Sequence, residues 1–486
     1  MFPPSLNAPS ANAAAETSVP LAGSLINFCC HDLIPEDKFM NTRRYHLTTF
    51  GCQMNEHDSE RIRGVLEEDG WLPAEDPESA DLLLFNTCAV RESAENRLLG
   101  RLGEARRLKK ERPERLIALA GCFAQSRKTE IFNELPFLDI AFGPGNIGEL
   151  PALIDAVSGS QGSHSNSFDD NPSLSGALPS RRLDQYRAWV QVMTGCTNFC
   201  SYCVVPSVRG PERSRKEADI IDEVKRLVDE GVVEVTLLGQ NVNSYGLDLD
   251  NDGKDGRRFA SLLAELDSIV GLRRVRFMTS HPKDLSPELI EAIRDIPVIC
   301  EHLHLPVQSG SNRVLERMNR GYTREHYLKL IDSLYAEVPA ISITTDIIIG
   351  FPGEKEEDFY RTMTLAGECR FDGAYTFVYS ARSGTDAAAL TGRIPPGTMK
   401  RRMGELVGLI QQTALAKNEG LVGTMAEVLV EGSSRHGGGQ WRGRTRTNKI
   451  INFSAAGNGE PPAAGALTLV KIDSATSTTL RGRQVS

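Results

Sequence analysis

Four apolar runs, each followed by an amphipathic stretch, give the first half of the chain its rhythm. Tyr45–Phe50, Asp81–Asn86, Arg115–Ala120 and Phe137–Phe142 predict strands. Glu56–Asp69, stopped by Gly70, and about 92–111 predict helices between them. Strands alternating with helices imply a parallel sheet with right-handed crossovers. From 186 the alternation resumes. Strands are expected at Ala188–Met193, Glu234–Leu238, Arg274–Met278, His302–Pro306, Ser342–Ile349 and Tyr375–Tyr379. Helices are expected at Ala218–Glu230, Arg258–Ile269, Pro287–Arg294 and Arg324–Glu337. About six such units predict a full or partial β/α barrel, with functional residues at the C-terminal ends of its strands. Short alternating runs at Met425–Val430, Lys449–Phe453 and Ala466–Ile472 predict a small terminal β-barrel.

Between these regions the pattern lapses. Residues 1–42 are rich in Ala, Pro, Ser and Asn and are expected as a disordered leader, with Met40 an alternative start. Residues 157–185 begin in a Ser/Gly/Asn/Asp-rich stretch and are expected as a flexible linker. The expected organisation is an N-terminal domain at 43–156, the linker, a central domain at 186–419 and a terminal domain at 420–486. The fold class is α/β.

Composition narrows the function. The 486 residues carry 55 Lys+Arg against 64 Asp+Glu, a net charge of −9, so the chain as a whole is no basic nucleic-acid binder. The charge is uneven, however: 421–486 holds eight basic and four acidic residues, the remainder 47 and 60. No run nears the roughly 18 apolar residues of a membrane span, and no secretory or transit signal opens the chain, so a cytoplasmic location without membrane attachment is expected.

The ten cysteines add most. In a large chain of this kind, clustered thiols point to metal or catalysis rather than disulfides. Cys196, Cys200 and Cys203 follow the first barrel strand closely enough to hold three corners of a cubane 4Fe-4S cluster, leaving the fourth iron open for a small molecule. A structural zinc site would need a fourth ligand, and none lies nearby in sequence. Cys52, Cys88 and Cys122 are 36 and 34 residues apart, too far for a local metal loop. Yet each directly follows an expected strand, so a parallel sheet could bring all three to one edge. They read either as a second three-ligand cluster site or as three inert core thiols.

The flanking residues resemble a known family. GCTNFCSYCVVPSVRG (195–210), with Tyr202 before the last cysteine, resembles the radical S-adenosylmethionine superfamily. GCQMNEHDSE (51–60), NTCAVRE (86–92) and Gly121-Cys122 look like the N-terminal domain of the methylthiotransferases. The match continues through LLGQNVNSYG (237–246), TSHP (279–282), HLPVQSGSNRVLERMNRGYTRE (304–325) and TTDIIIGFPGE (344–354). It covers about 43–156 and 186–455 and is nearest to the branch acting on dimethylallyladenosine in tRNA. The resemblance implies a flavodoxin-like N-terminal domain, a radical S-adenosylmethionine barrel and a terminal RNA-binding barrel of the TRAM type.

It also implies a reaction: methylthiolation at C2 of N6-(dimethylallyl)adenosine next to the anticodon of tRNA. Two 4Fe-4S clusters and S-adenosylmethionine are the implied cofactors. Cys52, Cys88 and Cys122 would hold the sulfur-carrying cluster. Cys196, Cys200 and Cys203 would hold the one that cleaves S-adenosylmethionine to a 5′-deoxyadenosyl radical. The implied partners are a tRNA anticodon stem-loop, a reductant such as flavodoxin or ferredoxin, and an iron–sulfur assembly and sulfur-donor system; the chain is expected as a monomer. Tyr202, Gln240, Gln308, Ser309 and Gly350, all beyond strand ends, are candidate cofactor contacts. His281, His302 and His304 read as structural histidines.

Trp441, Arg442, Arg444, Arg446, Asn448, Lys449 and Phe453 suggest phosphate and base contacts in the terminal barrel. The alternatives are methylthiolation of threonylcarbamoyladenosine in tRNA or of a ribosomal-protein aspartate, an iron–sulfur carrier or electron-transfer protein, and a tRNA-binding protein with structural zinc.

Overall fold

The computed structural model describes residues 43–89, 92–159, 162–169, 178–249, 258–434, 439–456 and 462–485. The expected leader and the candidate start at Met40 lie outside the described residues.

The N-terminal sheet is built from β1 (Arg44–Phe50), β2 (Leu72–Pro73), β3 (Leu82–Thr87), β4 (Leu116–Ala120), β5 (Ile140–Phe142) and β6 (Ser165–Ser167), in the order β2-β1-β3-β4-β5-β6. Every neighbouring pair is parallel. The central strand β3 is buried along its whole length, as its continuous Leu-Leu-Leu-Phe run demands of a strand covered on both faces. The helix Gln53–Glu68 starts at Cys52, whose backbone N–H donates to the Asn55 side chain at 3.3 Å, and it stops before Gly70.

The segment 157–185, expected as a flexible linker, is partly built into this domain. Ser165–Ser167 pairs with Ile140–Phe142, and Leu178 packs on the core. Three polar residues carry no apolar period, so only their backbone groups, satisfied by the parallel ladder, make this a strand.

The central domain holds β7 (Arg187–Gln191), the short antiparallel pair β8 (Met193–Thr194) and β9 (Arg213–Ser214), then β10 (Glu234–Leu238), β11 (Arg274–Phe277), β12 (His302–His304), β13 (Ser342–Ile349) and β14 (Gly373–Val378). Parallel sheets β7-β10-β11 and β12-β13-β14 are joined by one parallel bridge, Val275 to Ile299. The result is a six-stranded arc, a partial barrel. Val235, Leu237, Val275, Phe277, Leu303, Ile343 and Ile347 face the helical shell. The alternating positions, among them Arg274, Arg276, His304 and Asp346, face the lumen. Helices Glu356–Cys369 and Pro396–Glu419, which periodicity did not single out, complete the shell.

The terminal domain is a closed barrel of β15 (Met425–Ser433), β16 (Gln440–Thr445), β17 (Ile450–Ser454), β18 (Leu467–Ala475) and β19 (Thr479–Gln484). It docks where the central strands begin. Arg187 pairs with Glu431 at 2.7 Å, Arg274 with Glu427 at 2.8 Å, Arg446 with Glu301 at 2.7 Å and Lys449 with Asp372 at 2.6 Å. Arg276 donates to the Thr445 and Arg446 carbonyls.

Part of the basic run has a docking role that the sequence did not show. Arg442 and Arg444 both sit on Glu431 at 3.0 Å, and Phe453 is fully buried. Arg446 and Lys449 hold the barrel to its neighbour, whereas Arg442 and Arg444 share Glu431 with Arg187, three cations on one carboxylate, which leaves positive charge for phosphate. Composition cannot separate a cation facing RNA from one facing a carboxylate across a domain boundary.

Candidate active site

Two groups of three cysteines lie on either side of one buried contact between the N-terminal and central domains. The first forms because β1, β3 and β4 end in register: Phe50 is level with Thr87, and Asn86 with Ala120. Cys52, Cys88 and Cys122 are the residues just past those ends. Close approach demands glycine before two of them. A Cβ on Gly121 (φ 90°) would lie 2.3 Å from Asn86 Oδ1, and one on Gly51 would lie 2.8 Å from Cys88 Cβ. Asn55 and Asn86 link helix to sheet beneath the thiols: Asn55 Nδ2 donates to Asn86 Oδ1 at 3.2 Å, and Asn86 Nδ2 to the Asn55 carbonyl at 2.8 Å.

The second group lies on the loop between β8 and β9. Gly195 N donates to Gln240 Oε1 at 2.7 Å, so Gln240 ties the start of that loop to the end of β10. Cys203 N donates to the Cys200 carbonyl at 2.9 Å, and the Asn198 side chain reaches Cys196 Sγ at 3.4 Å. Phe199 stands exposed in a left-handed conformation (φ 45°), held by Asn319 Nδ2 on its carbonyl at 2.9 Å. Val204 and Val208, on the short helix Val205–Arg209 and its N-cap, pack against Ala89 and Cys122. That apolar contact joins the segment after Cys203 to Cys122 across the domain boundary.

One arginine touches each group. Arg209 donates Nε to Cys122 Sγ at 3.2 Å and Nη2 to Asp58 at 2.6 Å. Arg320 donates Nη1 to Cys200 Sγ at 3.3 Å, Nε to Tyr322 Oη at 3.0 Å and Nη2 to the Pro306 carbonyl at 3.0 Å. Neither stood out in the sequence as a site residue. Both lie inside quoted motifs, but a lone arginine among many carries no spacing signal.

The thiols divide electrostatically. A hydrogen bond with Cys88 draws the Cys52 thiol down to about 6 against the opposing effect of burial, and Arg209 adds to it. Burial pushes Cys122 and Cys196 up, and Cys203 up to about 12. Buried thiols of this kind stay protonated until a metal displaces the proton. Among the described residues, no three His, Cys, Asp or Glu side chains gather round one point as a single metal ion requires. A cubane differs, because each thiolate meets a different iron.

The strand ends of the central arc also fit a polar ligand. Asn241 Oδ1 follows β10, Ser280 Oγ and His281 Nε2 follow β11, and Gln308 Oε1 follows β12; all four are buried and have no hydrogen-bond partner among the described residues. Native interiors rarely leave such atoms unsatisfied, except where a ligand completes them. Thr279 (φ 73°) and Gln308 (φ 67°) hold strained left-handed conformations in the same loops. Burial, with Arg320 and Lys283 adding, brings His281 down to about 2, so its ring is neutral.

The other expected contacts are placed as follows. Ser309 is buried; its Oγ accepts from Ser311 N at 3.3 Å and lies 3.4 Å from Thr362 Oγ1, so it shapes the loop. Gly350 turns the chain at φ 79° and donates its N–H to Glu354 at 3.1 Å. The next residue, Phe351, packs in one cluster with Tyr202. His302 and His304 lie in the lumen, bonded to Thr344.

Residues 190–366 match the model of the Radical SAM superfamily, and 44–143 that of "Uncharacterized protein family UPF0004". A cobalamin-binding radical S-adenosylmethionine methyltransferase, TsrM from Kitasatospora setae, shares the fold. Its TM-score is 0.51 at 14% identity, over 72% of this chain and 77% of that one. Arc, cysteine loop and family model together define a radical S-adenosylmethionine enzyme. S-adenosylmethionine and a 4Fe-4S cluster are the cofactors that class implies.

The chain is 48% identical over 443 residues to the tRNA-2-methylthio-N(6)-dimethylallyladenosine synthase of Thermoanaerobacter pseudethanolicus, covering 91% of this chain and 92% of the relative. It is also 48% identical over 446 residues to that of Syntrophomonas wolfei, covering 92% and 98%. The chain belongs to this family of tRNA methylthiotransferases. Among the described residues, no helix is long and apolar enough to cross a membrane.

Proposed function

We propose that this protein catalyses the methylthiolation of C2 of N6-(dimethylallyl)adenosine, next to the anticodon of tRNA. The observation that carries the reading is the contact between the two cysteine-bearing segments through Val204, Val208, Arg209 and Cys122, in a chain whose relatives bear that name. Cys196, Cys200 and Cys203 would hold one 4Fe-4S cluster, and Cys52, Cys88 and Cys122 a second. When bound, these clusters would supply reductive cleavage of S-adenosylmethionine to a carbon radical at the first site and a sulfur carrier at the second.

The chain's own residues do the rest. Asn241, Ser280, His281 and Gln308 offer the strand-end polar atoms that would orient S-adenosylmethionine. Gln240 and Asn319 hold the cysteine loop in place. Val204, Val208 and Ala89 pack on Cys122 and fix the barrel cysteine loop against the N-terminal domain. A C2–H of adenine is too weakly acidic for a side-chain base, which is why this site has no need of an ionised histidine.

A loop base can be extruded at lower cost than a paired one, which suits an anticodon stem-loop substrate. The reading includes a cytoplasmic location, an external reductant of the flavodoxin or ferredoxin kind and an iron–sulfur assembly and sulfur-donor system.

Nucleoside mass spectrometry on total tRNA from a deletion strain tests it. The 2-methylthio nucleoside is expected to vanish and its unthiolated precursor to accumulate. Wild type should restore it and Cys203→Ala should not. Unchanged tRNA nucleosides would reject the substrate.

A further inference from the structure

We infer that Arg320 is a positioning residue that acts as the counter-charge of the Cys196–Cys200–Cys203 site, satisfied only when Cys200 is a metal-bound thiolate. The inference rests on the cluster reading above. It starts from an imbalance. Of the other buried arginines, 209, 215, 274, 276 and 402 meet a carboxylate, and Arg115 is held by the Ala80 and Glu78 carbonyls without a sulfur contact. Arg320 is equally buried, yet among the described residues its polar partners are two phenols, one backbone carbonyl and the Cys200 sulfur.

Its charged surroundings make matters worse. Lys283 and Arg320 both act on the His281 ring, which is neutral and offers no negative charge. Burying a cation is costly unless an anion answers it. Among the described residues no carboxylate pairs with it. A thiolate at Cys200, 3.3 Å from Nη1, answers it directly.

The backbone does not need the guanidinium. The Pro306 carbonyl, which Arg320 Nη2 serves, also accepts from Tyr322 Oη at 3.3 Å. Removing the cation therefore leaves that carbonyl bonded. Arg320 differs here from Arg209, whose charge Asp58 already neutralises. Of the two arginines on cysteine sulfur, only Arg320 has its charge to spare for the metal site. Hydrogen bonds and charge at cluster sulfurs set both retention and potential.

The test uses the full chain carrying Cys52, Cys88 and Cys122→Ala, so that only one site can take iron. Arg320→Met and Arg320→Lys are compared with the parent without S-adenosylmethionine. Thermal melting is read for the metal-free and reconstituted forms. Iron loss to a chelator and a dithionite titration followed by electron paramagnetic resonance are read for the reconstituted form.

For Arg320→Met the expected result has opposite signs. The metal-free form melts at or above the parent. The loaded form melts below it, loses iron several-fold faster and titrates at a more negative midpoint. Arg320→Lys, which keeps the charge, stays near the parent. Equal loss of melting temperature in both forms, with retention and midpoint unchanged, would overturn the inference and leave Arg320 a packing residue. A parent that takes up no iron would overturn it together with the cluster reading.

Discussion

Arg209, on the helix that closes the barrel cysteine loop, reaches across the domain seam to Cys122, with Nε 3.2 Å from the sulfur. The same guanidinium grips Asp58 at 2.6 Å, and both side chains are about 95% buried. One residue of the central domain thus sets where the N-terminal cysteines stand.

Breaking that grip should be costly. Arg209→Met removes the guanidinium that grips the buried Asp58 carboxylate and leaves only the charge of Arg61 nearby, which is expected to remove about 2–4 kcal/mol from the metal-free chain. Urea denaturation under anaerobic conditions measures it. Adding Asp58→Asn should recover part of the loss, because the stranded charge goes with it. A loss below about 1 kcal/mol would show that the pair does not hold the seam.

The terminal barrel offers a second check. Arg446→Ala and Lys449→Ala remove pairs to Glu301 and Asp372. They are expected to loosen the domain junction, seen as faster proteolysis, and to leave the salt dependence of tRNA binding unchanged. Arg481, and Arg483 with only an exposed 3.8 Å pair to Asp473, point outward on β19 and are further candidates for phosphate. Each Arg→Ala there should reduce the slope of log K against log salt by about 1 if the contact is real. A reduced slope for Arg446→Ala would contradict the docking role.

Acid stability has one assignable source in the first turn of the helix Glu356–Cys369. Burial raises the Asp358 carboxyl, but Arg313, Ser311 and the Lys355 N–H together outweigh it and hold the group at about 2. An unfolded aspartate titrates near 3.9. A depressed carboxyl stabilises the folded chain above that value, and the stabilisation is lost as pH falls towards 2. Asp358→Asn is expected to cost about 1–2 kcal/mol at neutral pH and to flatten the stability profile between about pH 4 and 2. Denaturation across that range decides it; an unchanged acid slope would remove Asp358 as the source.

Gly350 has no room for a side chain. Its φ of 79° would strain any L-residue, and a Cβ there would lie 2.7 Å from Met399 Sδ. Gly350→Ala is expected to cost about 1–2 kcal/mol in backbone strain alone. The displaced turn should weaken S-adenosylmethionine binding about tenfold, read by equilibrium binding. Unchanged affinity would show that this turn does not border the cofactor.

Much of this was legible in the sequence because the strands of both α/β domains are apolar and end in glycine or polar residues. Glu234–Leu238, Ser342–Ile349 and the helix Arg324–Glu337 fall at the expected bounds. The meeting of Cys52, Cys88 and Cys122 followed from parallel topology, since strand ends share an edge. Contacts between side chains far apart in sequence were not legible. Arg209 and Arg320 act on sulfurs 87 and 120 residues away, and Arg446 on a carboxylate 145 residues away. Ser165–Ser167 was hidden because its pairing is carried by the backbone alone. The strand Gln440–Thr445 was hidden because its arginines mask the alternation.

The central claim is that the two cysteine groups do different work in one reaction. It is tested by anaerobic turnover of an anticodon stem-loop carrying N6-(dimethylallyl)adenosine, with 5′-deoxyadenosine and the methylthio product measured in the same samples. Wild type should form both, Cys203→Ala neither, and Cys122→Ala 5′-deoxyadenosine without the methylthio product. Methylthio product from Cys122→Ala at the wild-type rate would contradict the account.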